Sequence, residues 1–221
     1  MPPEGTRWPS GNHTTTPFHR LLAEAVADMA ANGYDSVERL ARWVQLLRAA
    51  AERDLGSAAN IDATSRATLD AMFTKMIDQG RIAERVPGVT RFNLAMVRPQ
   101  LRAELDRRIV AAADLIKLHR REAVERTLQR FQGWSTAIPP GGDGTIDKRE
   151  ARSTIGKSVA QYKFEARRCN TDQGMKLIAN ISEIVATDAG AIAGIWHDHG
   201  EHDRAYNARK EHLARSGKLF L

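Results

Sequence analysis

Apolar residues recur every three or four positions along most of this chain, the repeat of a helix that buries one face. The first such run is Leu21, Leu22, Ala25, Val26 and Met29. Thr16 ahead of Pro17 suits an N-cap followed by proline in the first turn, and Asn32-Gly33 supplies a stop, so a helix is expected to about Ala31. A second run, Val37, Leu40, Ala41, Val44 and Leu47, follows Asp35 and Glu38, which read as a capping box, and ends near Gly56. Leu69, Met72, Phe73 and Met76 mark a third helix from Asp62 to Gln79, stopped by Gly80.

The next stretch breaks the pattern. Val86-Pro87-Gly88-Val89 reads as a turn, and one reading makes it the tip of a small β-hairpin over residues 82–93. From Val97 to about Phe131 the helical repeat then continues unbroken through Leu101, Leu105, Ile109, Ala112, Ile116, Val124 and Leu128, with Pro99 in the first turn. At 1.5 Å per residue this central helix is roughly 50 Å long, the kind that packs on another long helix or bridges two bodies. Asp147 with Glu150 opens a helix to about Arg168, and Asn170 with Gln173 caps another to about Trp196.

The expected fold is therefore mainly α: an elongated helical protein with one long central helix. Its expected parts are a flexible arm over 1–15, a helical N-terminal domain over 16–135, a linker over 136–146 and a second helical part over 147–221. The linker is the Ile138-Pro139-Pro140-Gly141-Gly142-Asp143-Gly144 stretch. The composition agrees, with 42% hydrophobic and 27% charged residues, the balance of an ordinary globular protein. No apolar run approaches the roughly 18–20 residues of a membrane span, and the polar N-terminus lacks a signal-peptide core. The single cysteine, Cys169, excludes an internal disulfide and a multi-cysteine zinc site.

Charge adds a candidate activity. Lys and Arg number 33 against 27 Asp and Glu, a formal +6, which attracts phosphate backbones or acidic proteins. Nine Lys/Arg against five acids lie between Arg98 and Arg130, and eight against three between Lys148 and Lys176. Within these, Arg107, Arg108, Arg120, Arg121, Lys148, Arg149, Arg152, Lys163, Arg167 and Arg168 are candidates for sequence-independent DNA contact; solvated helix faces are the plain alternative.

Catalytic patterns are thin. Ile155-Gly156-Lys157-Ser158 is similar to the end of a phosphate-binding loop, but Ala151 stands where its first glycine belongs. His197, His199 and His202, interspersed with Asp198, Glu201 and Asp203, offer weak metal candidates and read equally as a solvated connector. No nucleophile elbow or glycine-rich nucleotide fingerprint occurs, so neither an enzyme nor a cofactor is expected.

Residues 175–221 carry a resemblance. Ala186-Thr187-Asp188, then Trp196, then Arg209-Lys210-Glu211-His212 and Gly217-Lys218-Leu219-Phe220 resemble the closing motifs of the phage head morphogenesis family, minor head proteins related to the F protein of phage Mu. Ala205, Asn207 and Lys210 depart from the family pattern, and the family domain normally runs on past the position of Leu221. The resemblance thus implies a C-terminally truncated member, with Trp196, Arg209, His212 and Gly217 as its family-like core. It also implies a low-copy virion protein, assembled in the host cytoplasm with the portal protein and other head proteins, contacting double-stranded DNA nonspecifically. No membrane partner is expected. Two other classes stay open: a winged-helix DNA-binding regulator built on residues 62–93, and a metal-dependent hydrolase at the histidine-rich segment.

Overall fold

In the computed structural model, which describes residues 16–86, 88–191, 194–195 and 219–220, the protein is mainly α-helical. Among the described residues five α-helices follow one another: α1 Pro17–Asn32, α2 Val37–Asp54, α3 Ala58–Phe73, α4 Arg91–Thr136 and α5 Lys148–Asp188. A π-helical turn, Thr74–Asp78, extends α3, and a 3-10 turn, Arg81–Glu84, comes before α4. Two-residue strands, β1 Gly194–Ile195 and β2 Leu219–Phe220, pair antiparallel. Among the described residues no helix is long and apolar enough to cross a membrane.

The helix starts follow local chemistry. Thr16 caps α1, its hydroxyl accepting the His19 N–H at 3.4 Å, with Pro17 in the first turn. Asp147 caps α5 by accepting the N–H groups of Arg149 at 2.8 Å and Glu150 at 3.1 Å. Each such cap contributes about 1 kcal/mol by satisfying donors the helix leaves free. At α2 the cap is Ser36, which accepts from Arg39 N–H, and not Asp35, whose carboxylate instead pairs with the Arg39 side chain at 2.9 Å.

No hairpin occurs among the described residues of 82–93. The N–H groups of Arg85 and Val86 donate to the Ile82 carbonyl, so this backbone closes on itself and offers no ladder to a second strand. Thr90 and Asn93 then make a reciprocal cap: the Thr90 hydroxyl accepts Asn93 N–H at 3.2 Å and the Asn93 side chain accepts Thr90 N–H at 3.3 Å. That box starts α4 at Arg91, six residues before Val97. Pro99 therefore sits in the third turn, where it deletes the bond to the Ala95 carbonyl yet leaves the helix continuous. Without strands in this stretch, a wing for a winged helix is missing among the described residues.

Helix α5 also differs from expectation, running unbroken through residues 168–170. Asn170 and Gln173 are buried within it instead of capping a new helix. Gly174 lies one residue on, facing the Met72 sulfur, which would overlap any Cβ there. The helix stops at Asp188, short of Trp196.

The chain divides into two compact units, and α3, α4 and α5 each contribute to both. The first takes the chain up to Thr68 and Ile109–Gln173. Its core joins Phe18, Leu22, Val26 and Met29 of α1 to Leu47 and Ala51 of α2, Val124, Leu128 and Phe131 of α4, and Ile155, Val159 and Tyr162 of α5. Burying side chains of this size stabilises by roughly 1.5–3 kcal/mol each before entropy is counted. The stretch expected to be a linker joins α4 to α5 inside this same unit. Its backbone is fastened to the end of α1: Tyr34 N–H donates to the Ile138 carbonyl at 3.1 Å, Gly141 N–H to Asn32 at 2.9 Å and Asp143 N–H to Ala30 at 2.9 Å.

The second unit takes Leu69–Arg108 and the chain from Gly174. Its buried apolar residues include Leu69, Phe73, Met76, Ile77, Ile82, Val86, Val97, Leu101, Leu105, Leu177, Ile181 and Val185. The Arg102 guanidinium lies 4.5 Å from the centre of the Phe73 ring.

Candidate nucleic-acid interface

The ten cationic candidates separate into two groups once their neighbours are known. Those on α4 mostly have structural partners. Arg107 donates from Nε to Oε2 of Glu104 at 2.8 Å, and Arg108 donates from Nε to Oε1 at 2.7 Å. Asn180 adds a third bond to Glu104 at 2.8 Å. Burial pushes the Glu104 carboxyl up, but the bonds from Arg108, Arg107 and Asn180 outweigh it and hold the group below its ordinary value. A carboxylate this buried persists because it is multiply hydrogen-bonded.

Arg120 has a different task. Its Nε donates to the Gly56 carbonyl and its Nη2 to the Glu52 carbonyl, both at 2.8 Å, so it closes the C-terminal end of α2. Arg121 is exposed, but in a groove that Glu52, Asp114 and Glu125 share with Arg48 and Lys117. Mixed charge of this kind gives little net attraction for phosphate.

The α5 group is arranged otherwise. Lys148, Arg149, Arg152, Lys163, Arg167 and Arg168 are all exposed. At 100° per residue, Arg149, Arg152, Lys163 and Arg167 fall within about a sixth of the helix circumference, and the row extends roughly 27 Å. Arg168 lies off that line and faces Glu165 at 3.8 Å. Arg152 donates to the carbonyl of Lys148 at 3.0 Å, which holds its side chain along the helix. Asp147 is the acid at the start of the row. Its carboxyl is held below the ordinary value by the N–H groups of Glu150 and Arg149, then by the charges of Arg149 and Arg152.

Tertiary packing adds basic residues that the chain pattern did not single out. His19 and Arg20 of α1 border the same groove as Arg149 and Arg152. They stand more than a hundred positions away in sequence, and no local signal connects them. Lys157 is exposed on the adjoining α5 surface. Gly156, which precedes it, lies within α5 against Leu22, so the Gly-Lys-Ser stretch is helix and not a phosphate loop.

Tyr162 is buried, and burial pushes its hydroxyl pKa up, whereas Phe164 stands 64% exposed beside Lys163. No group of three or more metal-ligating side chains occurs among the described residues. His197, His199 and His202 lie outside those residues, as do Trp196, Arg209, His212 and Gly217. What is described of that region is the pairing of Gly194 with Phe220 and of Ile195 with Leu219. Comparison of this chain with protein-family models, with curated proteins and with solved structures finds no match.

Proposed function

We propose that this chain is a minor head protein of a tailed bacteriophage, a non-enzymatic helical component that joins the portal and other head proteins during assembly in the host cytoplasm. In the virion head it touches packaged or ejected double-stranded DNA without reading its sequence. The observation that carries this reading is the strand pair. Gly194 and Ile195, just before the Trp196 connector, lie beside Leu219 and Phe220, which end the Gly-Lys-Leu-Phe closure. Two parts of the segment that resembles the head morphogenesis family, the stretch just before Trp196 and the end of the Gly-Lys-Leu-Phe closure, thereby lie side by side.

Lys163 and Arg167, the C-terminal end of the α5 row, support the DNA part of the proposal. Exposed cations in line along a helix displace counterions from a phosphate backbone and have no means of reading base edges. The test is co-expression with the portal protein of the same phage, followed by size-exclusion chromatography with mass detection. A co-eluting complex that survives moderate salt is expected. Failure to associate, together with salt-resistant binding to one DNA sequence, would replace the proposal with a DNA-binding regulator.

A further inference from the structure

The groove between α1 and the first part of α5 has a composition that phosphate binding does not explain. The two helices run antiparallel here: Asp143, just before α5, bonds to Ala30 near the end of α1, whereas Gly156 faces Leu22 and Phe18 near its start. The groove encloses about 720 Å³ and is floored by Leu22, Ala23, Gly156 and Ala160. Its banks carry His19, Arg20, Arg149 and Arg152, and among the described residues Glu24 is the one carboxylate lining it. The guanidinium groups of Arg20, Arg149 and Arg152 make no ion pair with a described residue.

We infer that this groove is a docking site for an acidic amphipathic helix of a partner protein. Three features choose that occupant. The small side chains of Ala23 and Ala160, on either side of Leu22 packed over Gly156, leave a trough into which larger apolar side chains of a third helix fit, ridge into groove. The α5 residues that line the groove, from Arg149 to Ala160, span about 16 Å, close to three helical turns. The banks are cationic, and His19 and Arg20 of α1 and Arg149 of α5 lie in first helical turns, where the helix dipoles add positive potential. A helix with Leu or Met along one face and Glu or Asp on both flanks satisfies floor and banks together.

DNA satisfies only the banks, because phosphates gain nothing from an apolar floor. Lys163 and Arg167, beyond the groove on the same face, do not line it and are left for phosphate contact. The inference stands whether or not the partner is a phage portal.

The experiment uses the full chain and three labelled probes: a Leu/Ala helical peptide with Glu on both flanks of its apolar stripe, the same peptide with Gln for Glu, and a DNA duplex. Fluorescence anisotropy should give a Kd on the order of 10 µM for the Glu peptide and at least tenfold weaker binding for the Gln peptide. Arg149→Glu with Arg152→Glu should abolish peptide binding, and so should Ala160→Glu, with unchanged circular dichroism. These three positions are exposed, so the fold tolerates the changes. Lys163→Gln with Arg167→Gln should leave it intact. Equal binding of the two peptides, no binding at about 1 mM, or displacement of the peptide by the duplex at Arg149 and Arg152 would each overturn the inference.

Discussion

Gly33 lies so close to Pro139 that a Cβ on Gly33 would overlap the Pro139 carbonyl oxygen. Its backbone, at φ 69° and ψ −171°, occupies a region essentially reserved for glycine. Gly142 reciprocates, because a Cβ there would strike the carbonyls of Ala30 and Ala31. The end of α1 and the loop before α5 are thus in backbone-to-backbone contact. Gly33→Ala should cost about 3 kcal/mol or more, combining conformational strain with displacement of the loop. Gly56→Ala, also at positive φ but facing open space, should cost only about 1 kcal/mol. Urea denaturation of the two variants measures the difference, and equal losses would mean that the loop yields freely.

The cluster around Glu104 sets a second expectation. Arg108 has a side chain only 14% exposed, and Glu104 is 8% exposed, so removing the carboxylate takes the Nε bond and its countercharge from a nearly buried guanidinium. Glu104→Ala should destabilise by about 3 kcal/mol. The pH dependence has a definite sign. The folded-state pKa lies below the ordinary 4.5, so this stabilisation is complete above that value and disappears as pH falls through the lower folded-state pKa. Glu104→Gln should be destabilised at pH 7 and show a flatter stability profile below pH 4.5. Chemical denaturation across a pH series tests both.

Arg120 closes α2 through two carbonyls, so its replacement should act on stability and not on binding. Arg120→Ala should lose about 1–2 kcal/mol. Arg120→Lys should recover at most half, because an ammonium does not reproduce the two-point fork of the guanidinium. Wild-type stability in Arg120→Ala, with weakened DNA binding, would return this residue to the phosphate contacts.

The separation of cations predicts the salt response of DNA binding. Lys163→Gln with Arg167→Gln should reduce the slope of log K against log salt by about 2 for duplex DNA. Arg107→Gln should leave the slope nearly unchanged, since that side chain is engaged by Glu104. Filter binding at several salt concentrations distinguishes the two. Equal effects would show that attraction depends on total charge and not on the α5 row.

Cys169 provides a chemical probe of the first unit. It is 9% exposed, and burial, followed by the negative charges of Asp172 and Glu165, pushes its thiol pKa up. Alkylation by iodoacetamide at pH 8 should be at least tenfold slower in the folded protein than in urea, as expected for a thiol that is both hidden and protonated. Similar rates would indicate that α5 opens readily around residue 169.

The sequence by itself determined the helical character of this chain, because helix formation depends on signals only three or four residues apart. Thr16-Pro17 and Asp147 start their helices by local hydrogen bonds, and the apolar faces of α1 and α2 already lie at helical spacing. Local signals also misled where two of them competed. Val86-Pro87-Gly88-Val89 has turn chemistry, but whether a turn joins strands depends on available backbone donors, and here Ile82 takes those of Arg85 and Val86. Asn170 with Gln173 has the letters of a cap, yet burial and the Met72–Gly174 contact keep α5 continuous.

Only the tertiary structure decided what each charge is for. In the sequence Arg107, Arg120 and Arg149 are equivalent, exposed or not according to helical phase. Folding gives the first to Glu104 and the second to the carbonyls of α2, and leaves the third on the bank of a groove opposite Arg20. The physical reason is range. A helix is selected by neighbours within a turn, whereas the partner of a guanidinium is whatever acceptor packing brings within about 3 Å, from any distance along the chain.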